Sequence, residues 1–156
     1  MVRVLFVCTA NICRSPTAAA LLHCRAAAAD LAVEADSAAT HPFRLGEGPD
    51  PRTIEVAAAH DVDVSQARAR LLTPNDFDRF DLVVAMERKH ARHLLKLCPE
   101  GREAKVRLLM SFVPDSTILD IPDPYLGDVS FEEAFVMIEQ GIVHLLDHLQ
   151  ETLLQE

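Results

Sequence analysis

A cysteine and an arginine with five residues between them, Cys8 and Arg14, follow the first apolar run of the chain. The run itself, Val2–Val7, has the length and the β-branched composition of a strand. Ser15 and Pro16 then have the residue types of a helix start, as N-cap and first helical residue. Such a strand–loop–helix unit turns main-chain N–H groups and the positive end of the helix dipole toward one point, which therefore binds an anion.

The chemistry expected at that point is nucleophilic attack on a bound oxyanion. We expect Cys8 to be a thiolate at neutral pH, because a helix N-terminus and a guanidinium both favour the charged form of a thiol. Arg14 offers a planar fork that matches two oxygens of a phosphate group. The Ser15 hydroxyl can donate either to the thiolate or to a loop carbonyl. The main chain that would surround the anion belongs to Thr9, Ala10, Asn11, Ile12 and Cys13.

The segment VCTANICRSP at Val7–Pro16 resembles the corresponding loop of the low-molecular-weight protein tyrosine phosphatases. Three further segments occur in the order and spacing of that family: DSAAT at Asp36–Thr40, ARLLTPNDF at Ala69–Phe77 and DPY at Asp123–Tyr125. Together these segments extend the resemblance over nearly the whole chain. It implies an enzyme that hydrolyses phosphotyrosine in proteins through a phosphocysteine on Cys8, with phosphate ion as the product.

The resemblance also identifies a proton donor. Asp123 matches the general acid of the family, which protonates the leaving oxygen and later deprotonates the attacking water. Taken without the family, an Asp-Pro pair is as often the start of a turn. Asp120 lies close by and is the alternative carboxyl.

Two residues match family positions that hold the loop in shape, Asn11 and Ser37. Asparagine suits the left-handed backbone conformation that such loops need. Ala10 stands where the family usually has glycine, so a positive φ at this position would carry strain. Ala67 stands where a histidine commonly supports the loop, which would leave Asn11 with one hydrogen bond fewer. These departures bear on the turnover rate more than on the reaction class.

The substrate side of the site is expected to be aromatic. Tyr125 and Phe43 match family positions that form the walls of the pocket, and stacking walls suit a flat phosphoaryl group. Phe43 could instead belong to the core. Leu126 replaces a second aromatic residue that often follows DPY. Related bacterial enzymes that dephosphorylate arginine have threonine at the position of Ile12, whose apolar side chain favours an aromatic ring.

Two alternatives from other classes stay open at this point. An arsenate reductase of the same fold needs further cysteines to relay a disulfide, and only Cys98 is placed even loosely for that role. A phosphate-binding module without catalysis is the other alternative. It does not explain why the chain has both Cys8 and Asp123.

Apolar runs alternate with helix signals along the chain, which predicts an α/β fold. The predicted strands are Val2–Val7, Leu31–Ala38, Asp81–Met86 and Lys105–Met110. The predicted helices are Pro16–Ala29, Pro51–His60, a turn that ends near Arg79, Glu87–Leu97 and a last helix opened by a capping box at Ser130–Glu133. We therefore predict one small doubly wound domain over residues 1–156, with a central four-stranded parallel sheet and helices on both faces, which is also the fold of the family.

Composition limits the partners of the chain. Its 156 residues are 49% hydrophobic, enough for a full core. A net charge of −9 argues against nucleic acid and against anionic membrane as partners. No apolar run approaches the ~18 residues of a membrane span. We expect a cytoplasmic monomer without membrane insertion, whose phosphoprotein substrates are attracted by a local positive site.

Cysteines and histidines predict neither a metal nor a cofactor. No C-x-x-C pair is present. Cys8 and Cys13 lie in one loop and could pair reversibly, which would make the activity redox-sensitive. Cys24 and Cys98 are expected to be small buried hydrophobes. Two histidine pairs at helical spacing lack a third ligand, so we expect them on solvated helix faces: His90 with His93, and His144 with His148.

Overall fold

The computed structural model describes residues 1–154. Four parallel strands form one sheet in the order β2-β1-β3-β4. The strands are β1 (Val2–Cys8), β2 (Val33–Ala39), β3 (Leu82–Ala85) and β4 (Val106–Leu108). Each lies where an apolar run predicted it, and the fold class predicted from the sequence is confirmed.

Five α-helices connect and cover the strands in the described part of the chain. They are α1 (Arg14–Ala28), α2 (Pro51–Ala59), α3 (Asp76–Arg79), α4 (Arg88–Leu97) and α5 (Phe131–Glu151). Short 3-10 turns lie at Glu103–Lys105, Leu109–Phe112 and Pro124–Leu126. The capping box predicted for α5 is confirmed, because Ser130 and Glu133 each accept a hydrogen bond from the main chain of the other. No helix within residues 1–154 combines the length and hydropathy needed to cross a bilayer.

Side chains of β1 alternate between two hydrophobic clusters, as the period of a strand requires. Phe6 and Cys8 point to the cluster that contains α1 and α5 residues. Leu5 and Val7 point to the opposite cluster, which includes Leu94 of α4. Helices therefore cover both faces of the sheet, and the strands are apolar on both sides.

The cysteines Cys24 and Cys98 are not fully buried. Cys24 is exposed, because Leu21, Leu22 and Ala26 supply the buried face of α1 and Cys24 falls on the other side. Cys98 follows the last residue of α4 and is half-buried. The prediction that both are buried in the core is wrong, since an alanine-rich helix offers little periodicity from which to assign its faces.

The carboxyl ends of the strands are joined by main-chain hydrogen bonds that continue past the sheet. The N–H of Thr40 donates to the carbonyl of Cys8 over 2.9 Å, and the N–H of Met86 donates to Val7 over 3.2 Å. The N–H of Ile121 donates to Met86 over 3.0 Å, which brings the segment before Asp123 to the same edge. Cys8 thus lies where three loops meet.

Candidate active site

The loop between β1 and α1 places Cys8 and Ser15 side by side. Cys8 is the last residue of β1, and only 3% of it is exposed. Helix α1 begins at Arg14 with Cys13 as the N-cap and no side-chain capping hydrogen bond. The prediction of Ser15 as N-cap is therefore wrong. Its hydroxyl lies inside the first turn, 3.0 Å from the sulfur of Cys8.

A chain of hydrogen bonds fixes the direction in which Ser15 donates. The main-chain N–H of Arg70 donates to Oδ1 of Asn11 over 3.1 Å, which sets the orientation of the amide. Nδ2 of Asn11 then donates to the Ser15 oxygen over 2.7 Å. Because that oxygen accepts from Asn11, the hydroxyl proton is left for the sulfur of Cys8. Of the two roles open to Ser15, the structure favours donation to Cys8.

The structure accommodates Ala10 and Ala67, the two residues named above as departures from the family pattern around the loop. Asn11 has φ of +62°, the left-handed conformation for which asparagine is suited. Ala10 has no positive φ, so the alanine carries no such strain. Asn11 keeps two partners, Ser15 and Arg70, with an alanine at position 67. Within residues 1–154 no hydrogen bond joins the Ser37 side chain to the loop, so its supporting role stays a prediction.

The side chain of Arg14 lies deep in the site. Its side chain is 2% exposed, and Nη1 donates to the carbonyl of Ile121 over 2.6 Å and to the carboxylate of Glu87. Nη2 lies 3.5 Å from Oδ2 of Asp123. Burial lowers the pKa of Arg14, but the charges of Cys8, Glu87 and Asp123 outweigh burial and raise the pKa above its ordinary value. The guanidinium is therefore a fixed, permanent positive charge beside Cys8.

His90 supports the loop from the opposite side. The N–H of Glu87 donates to Nδ1 of His90 over 3.1 Å, so the ring proton resides on Nε2. Nε2 lies 2.9 Å from Oγ1 of Thr9 and donates to it. His90 is 2% exposed, and burial, followed by the positive charges of Arg14 and Lys89, lowers its pKa to about 3.

The prediction of His90 on a solvated helix face is wrong, whereas His93, His144 and His148 are all partly exposed. Glu87 and His90 form a capping box at the start of α4, with histidine as the third residue of the helix. The sequence pattern of a capping box specifies Glu or Gln at that position, and for this reason the signal is missed.

The two candidate proton donors have separate environments. Asp120 accepts from the N–H of Arg88 over 2.7 Å and pairs with its guanidinium, which lowers the pKa of Asp120. Asp120 is thereby engaged in holding the start of α4. Asp123 accepts from the N–H of Tyr125 over 3.1 Å and directs Oδ2 toward Arg14. Only Asp123 of the two carboxyls lines the pocket above Cys8.

That pocket has a volume of about 260 Å³. Phe43 and Tyr125 form exposed walls, with 66% and 46% of their surfaces accessible, so Phe43 is not a core residue. Arg44 donates to the Tyr125 hydroxyl over 3.0 Å, and the guanidinium of Arg52 lies 5.7 Å from the ring centre. The remaining lining consists of Cys8, Thr9, Ala10, Asn11, Ile12, Cys13, Arg14, Lys89, Asp123 and Leu126.

Comparison with known proteins identifies the family. The profile of the low molecular weight phosphotyrosine protein phosphatases matches residues 3–155. The chain belongs to this family. It is 47% identical over 155 residues to a low molecular weight protein-tyrosine-phosphatase of Streptomyces coelicolor, an alignment that covers 96% of this chain and 94% of the relative.

Solved structures agree with the family assignment. The crystal structure of YfkJ from Bacillus subtilis superposes with a TM-score of 0.92 at 33% identity, over 97% of this chain and 96% of that one. Wzb of Vibrio vulnificus in complex with benzylphosphonate superposes with a TM-score of 0.82 at 29% identity, over 95% and 99% of the two chains. The resemblance stated from the sequence is confirmed, and so is the enzyme class, a phosphoric monoester hydrolase.

Cys13 is the second thiol of the phosphatase loop. It is buried, and burial raises its pKa to about 12; the hydrogen bond from Thr53 opposes this rise, and the nearby charges of Cys8 and Asp50 add smaller contributions to it. Cys13 is therefore a neutral thiol at physiological pH. Within residues 1–154 the phosphatase has no group of three His, Cys, Asp or Glu side chains arranged to hold a metal ion.

Proposed function

We propose that Cys8 attacks the phosphorus of a phosphotyrosine side chain of a protein while Asp123 protonates the leaving phenolate. The phosphorus–oxygen bond of the ester breaks as the sulfur–phosphorus bond forms, which gives a phosphocysteine. A water molecule then attacks the phosphorus and gives its proton to Asp123. Inorganic phosphate leaves, and the Cys8 thiolate is restored.

The observation that carries this proposal is the hydrogen-bond chain that ends on the sulfur of Cys8, next to the buried guanidinium of Arg14. A donated proton from Ser15 stabilises the sulfur as an anion, which it must be both as nucleophile and as leaving group. Arg14 and the main-chain N–H groups of Thr9 to Cys13 would hold the three equatorial oxygens, where negative charge spreads in the transition state.

An aryl substrate is supported by the walls of the pocket. Phe43, Tyr125 and Ile12 present apolar surface around the entrance to Cys8. The structure of Wzb, a relative with the same fold, holds benzylphosphonate, a compound that combines an aromatic ring with a phosphonate. Phosphotyrosine has the same two features. A comparison of phosphotyrosine, phosphoserine and phosphoarginine peptides tests this preference directly.

The nucleophile is tested by replacing Cys8 with serine. Cys8→Ser should abolish turnover of p-nitrophenyl phosphate while the far-ultraviolet circular dichroism spectrum is unchanged, because Cys8 supplies the attacking atom. Cys24→Ser is the matched control, since Cys24 is exposed on α1 and should leave the rate unchanged. Turnover by Cys8→Ser comparable with that of the control would remove Cys8 as the nucleophile.

The proton donor is tested by comparing two carboxyl variants. Asp123→Asn should lower kcat by about 10²–10⁴-fold for phosphotyrosine. The loss should be smaller for p-nitrophenyl phosphate, whose leaving group needs less protonation. Asp120→Asn is the control, because asparagine keeps an acceptor for the N–H of Arg88 at the start of α4 and Asp120 does not line the pocket. If Asp120→Asn causes the larger loss in kcat, the assignment of the acid is wrong.

A further inference from the structure

A second pocket, of about 250 Å³, adjoins the catalytic pocket and has no part in the proposed reaction. The two pockets share Thr9 and Lys89. Besides Thr40 and the loop-supporting His90, the side chains that line only the second pocket are basic or titratable: His41, Arg92, His93 and Lys96. We refer to it as the basic pocket. Within residues 1–154 no carboxylate lines it.

The positive charge of the basic pocket is largely uncompensated. Lys89 lies 3.6 Å from the carboxylate of Glu87, which already pairs with Arg14. Arg92 and Lys96 are exposed and form no ion pair with any residue that the structure describes. Such a concentration is unexpected in a chain whose net charge is −9. Glu87 and Asp120, which interact with Lys89 and Arg92, are themselves paired with Arg14 and Arg88, so they compensate this charge only in part. The remaining repulsion between like charges costs free energy, which a bound anion would recover.

The imidazole groups extend the basic pocket toward the substrate. The ring of His41 stacks on Phe43 at 5.3 Å, and the ring of His93 lies 5.3 Å from His41 on the other side. Phe43 is itself a wall of the catalytic pocket. The pKa of His93 lies below its ordinary value, through burial first and then the positive charges of His41 and Lys96.

We propose that the basic pocket binds an anionic side chain of the same peptide whose phosphotyrosine occupies the catalytic pocket. This inference rests on the proposed function and adds a substrate class to it: phosphotyrosine next to a carboxylate or to a second phosphoryl group. An extended peptide advances about 3.3 Å per residue, so an adjoining pocket is reached by a residue near the phosphotyrosine. A phosphoryl dianion should bind more tightly than a carboxylate, because it carries more charge and more acceptor oxygens.

The test uses three phosphotyrosine peptides and p-nitrophenyl phosphate. The first peptide has neutral flanking residues, the second carries glutamates beside the phosphotyrosine, and the third carries a second phosphotyrosine at those positions. The double variant Arg92→Gln/Lys96→Gln removes charge from the basic pocket only. The control Arg25→Gln/Arg79→Gln removes the same formal charge from exposed positions outside both pockets.

For the pocket variant we expect kcat/KM on the anionic peptides to fall about tenfold, through KM, with a smaller fall at high salt. Turnover of the neutral peptide and of p-nitrophenyl phosphate should stay unchanged. If kcat/KM falls only for the doubly phosphorylated peptide, the ligand of the basic pocket is a phosphoryl group. If it falls for both anionic peptides, carboxylates are ligands as well. Equal losses on all substrates, no loss, or the same loss in the control variant overturn the inference. Absence of wild-type phosphatase activity would instead overturn the proposed function.

Discussion

The positions of two protons at the site, one on the Ser15 hydroxyl and one on Nε2 of His90, are each set by one main-chain N–H group. The N–H of Arg70 orients Asn11, so that the Ser15 proton reaches the sulfur of Cys8. The N–H of Glu87 occupies Nδ1 of His90, so that Nε2–H is directed at Thr9. The placement of Cys8 and Arg14 in one loop at the end of β1 could be predicted from the sequence, because it depends on residue type and local spacing. The proton positions could not, since the N–H of Arg70 lies far along the chain from Asn11 and the pattern of a capping box does not specify histidine at the position of His90.

Cys13 gives a prediction on oxidation. Peroxide should oxidise the sulfur of Cys8 to a sulfenic acid, and attack by the Cys13 thiolate on that sulfur would form a disulfide and release hydroxide. Because burial raises the pKa of Cys13 to about 12, its thiolate fraction rises about tenfold for each pH unit in this range. The rate at which the sulfenic acid disappears should therefore rise about tenfold per unit between pH 7 and 9. Mass spectrometry after a peroxide pulse, with the sulfenic acid trapped chemically, measures that rate.

Two variants control this experiment. Cys13→Ala should leave the sulfenic acid to oxidise further to sulfinic acid, so that a thiol reductant no longer restores activity. Thr53→Val removes the hydrogen bond that favours the Cys13 thiolate and should slow disulfide formation at every pH. A rate that is independent of pH, or recovery by Cys13→Ala equal to that of the wild type, would contradict the pairing of the two thiols.

Among the elements, α4 links helix capping to the chemistry of the site. Glu87 accepts from the main chain of His90 to cap the helix, and its carboxylate also pairs with Arg14. Asp120 holds the same helix start through Arg88. The position of α4 and the position of the guanidinium are therefore set together. Any change that frays the first turn of α4 should also disorder Arg14.

Strands and helix ends could be predicted from the sequence where a single local pattern determines them. The four strands follow from short apolar runs, and the start of α5 follows from the Ser130–Glu133 capping box. The start of α1 was placed wrongly at Ser15, because its hydroxyl bonds to Cys8 across the loop instead of capping the helix. The local rule fails there because a tertiary contact of the site competes for the same hydroxyl.

Close packing of α5 gives a prediction on stability. A Cβ placed on Gly141 would lie 2.6 Å from Cγ of Leu109, a side chain that is fully buried. Alanine is the better helix former by about 1 kcal/mol, but overpacking of a core costs about 1–3 kcal/mol. We expect Gly141→Ala to lower the free energy of unfolding by about 1 kcal/mol, since the buried Leu109 would have to shift to admit the methyl group. Urea denaturation followed by circular dichroism measures the change.

The double variant Gly141→Ala/Leu109→Val isolates the contact. The smaller side chain at position 109 should accept the new methyl group, so the two substitutions together should cost less than the sum of each alone. Additive costs, or a single Gly141→Ala variant more stable than the wild type, would show that the approach of Leu109 does not limit this position.

For the molecule as a whole, overall charge and local charge have opposite signs. The chain carries −9, yet the linings of the catalytic pocket and the basic pocket contain the carboxylate of Asp123 against five cations: Arg14, Arg44, Lys89, Arg92 and Lys96. From composition, a local positive site could be inferred only because a chain of this net charge needs one to bind an anionic substrate. Its location could not be predicted, since these cations come from three separate segments that the fold brings to one edge of the sheet.

His90 links the site to the acid stability of the whole fold. Its pKa in the folded protein is about 3, whereas that of an unperturbed histidine is about 6.5. Between these values the unfolded chain binds a proton at His90 and the folded protein does not, so stability is lost as the pH falls below 6.5. This one group should lower the free energy of unfolding by about 1 kcal/mol between pH 7.5 and 5.5. The loss does not depend on how far below 5 the folded pKa lies.

The variant His90→Gln isolates this contribution, because glutamine still donates a hydrogen bond toward Thr9 but does not titrate. Urea denaturation at pH 7.5 and 5.5 should show a smaller acid-induced loss of stability for the variant, by about 1 kcal/mol. His93→Gln serves as the control for a histidine that is only partly buried, where the difference should be smaller. An equal acid-induced loss in His90→Gln and the wild type would mean that the folded protein protonates His90 and that the ring does not keep Nδ1 as an acceptor for Glu87.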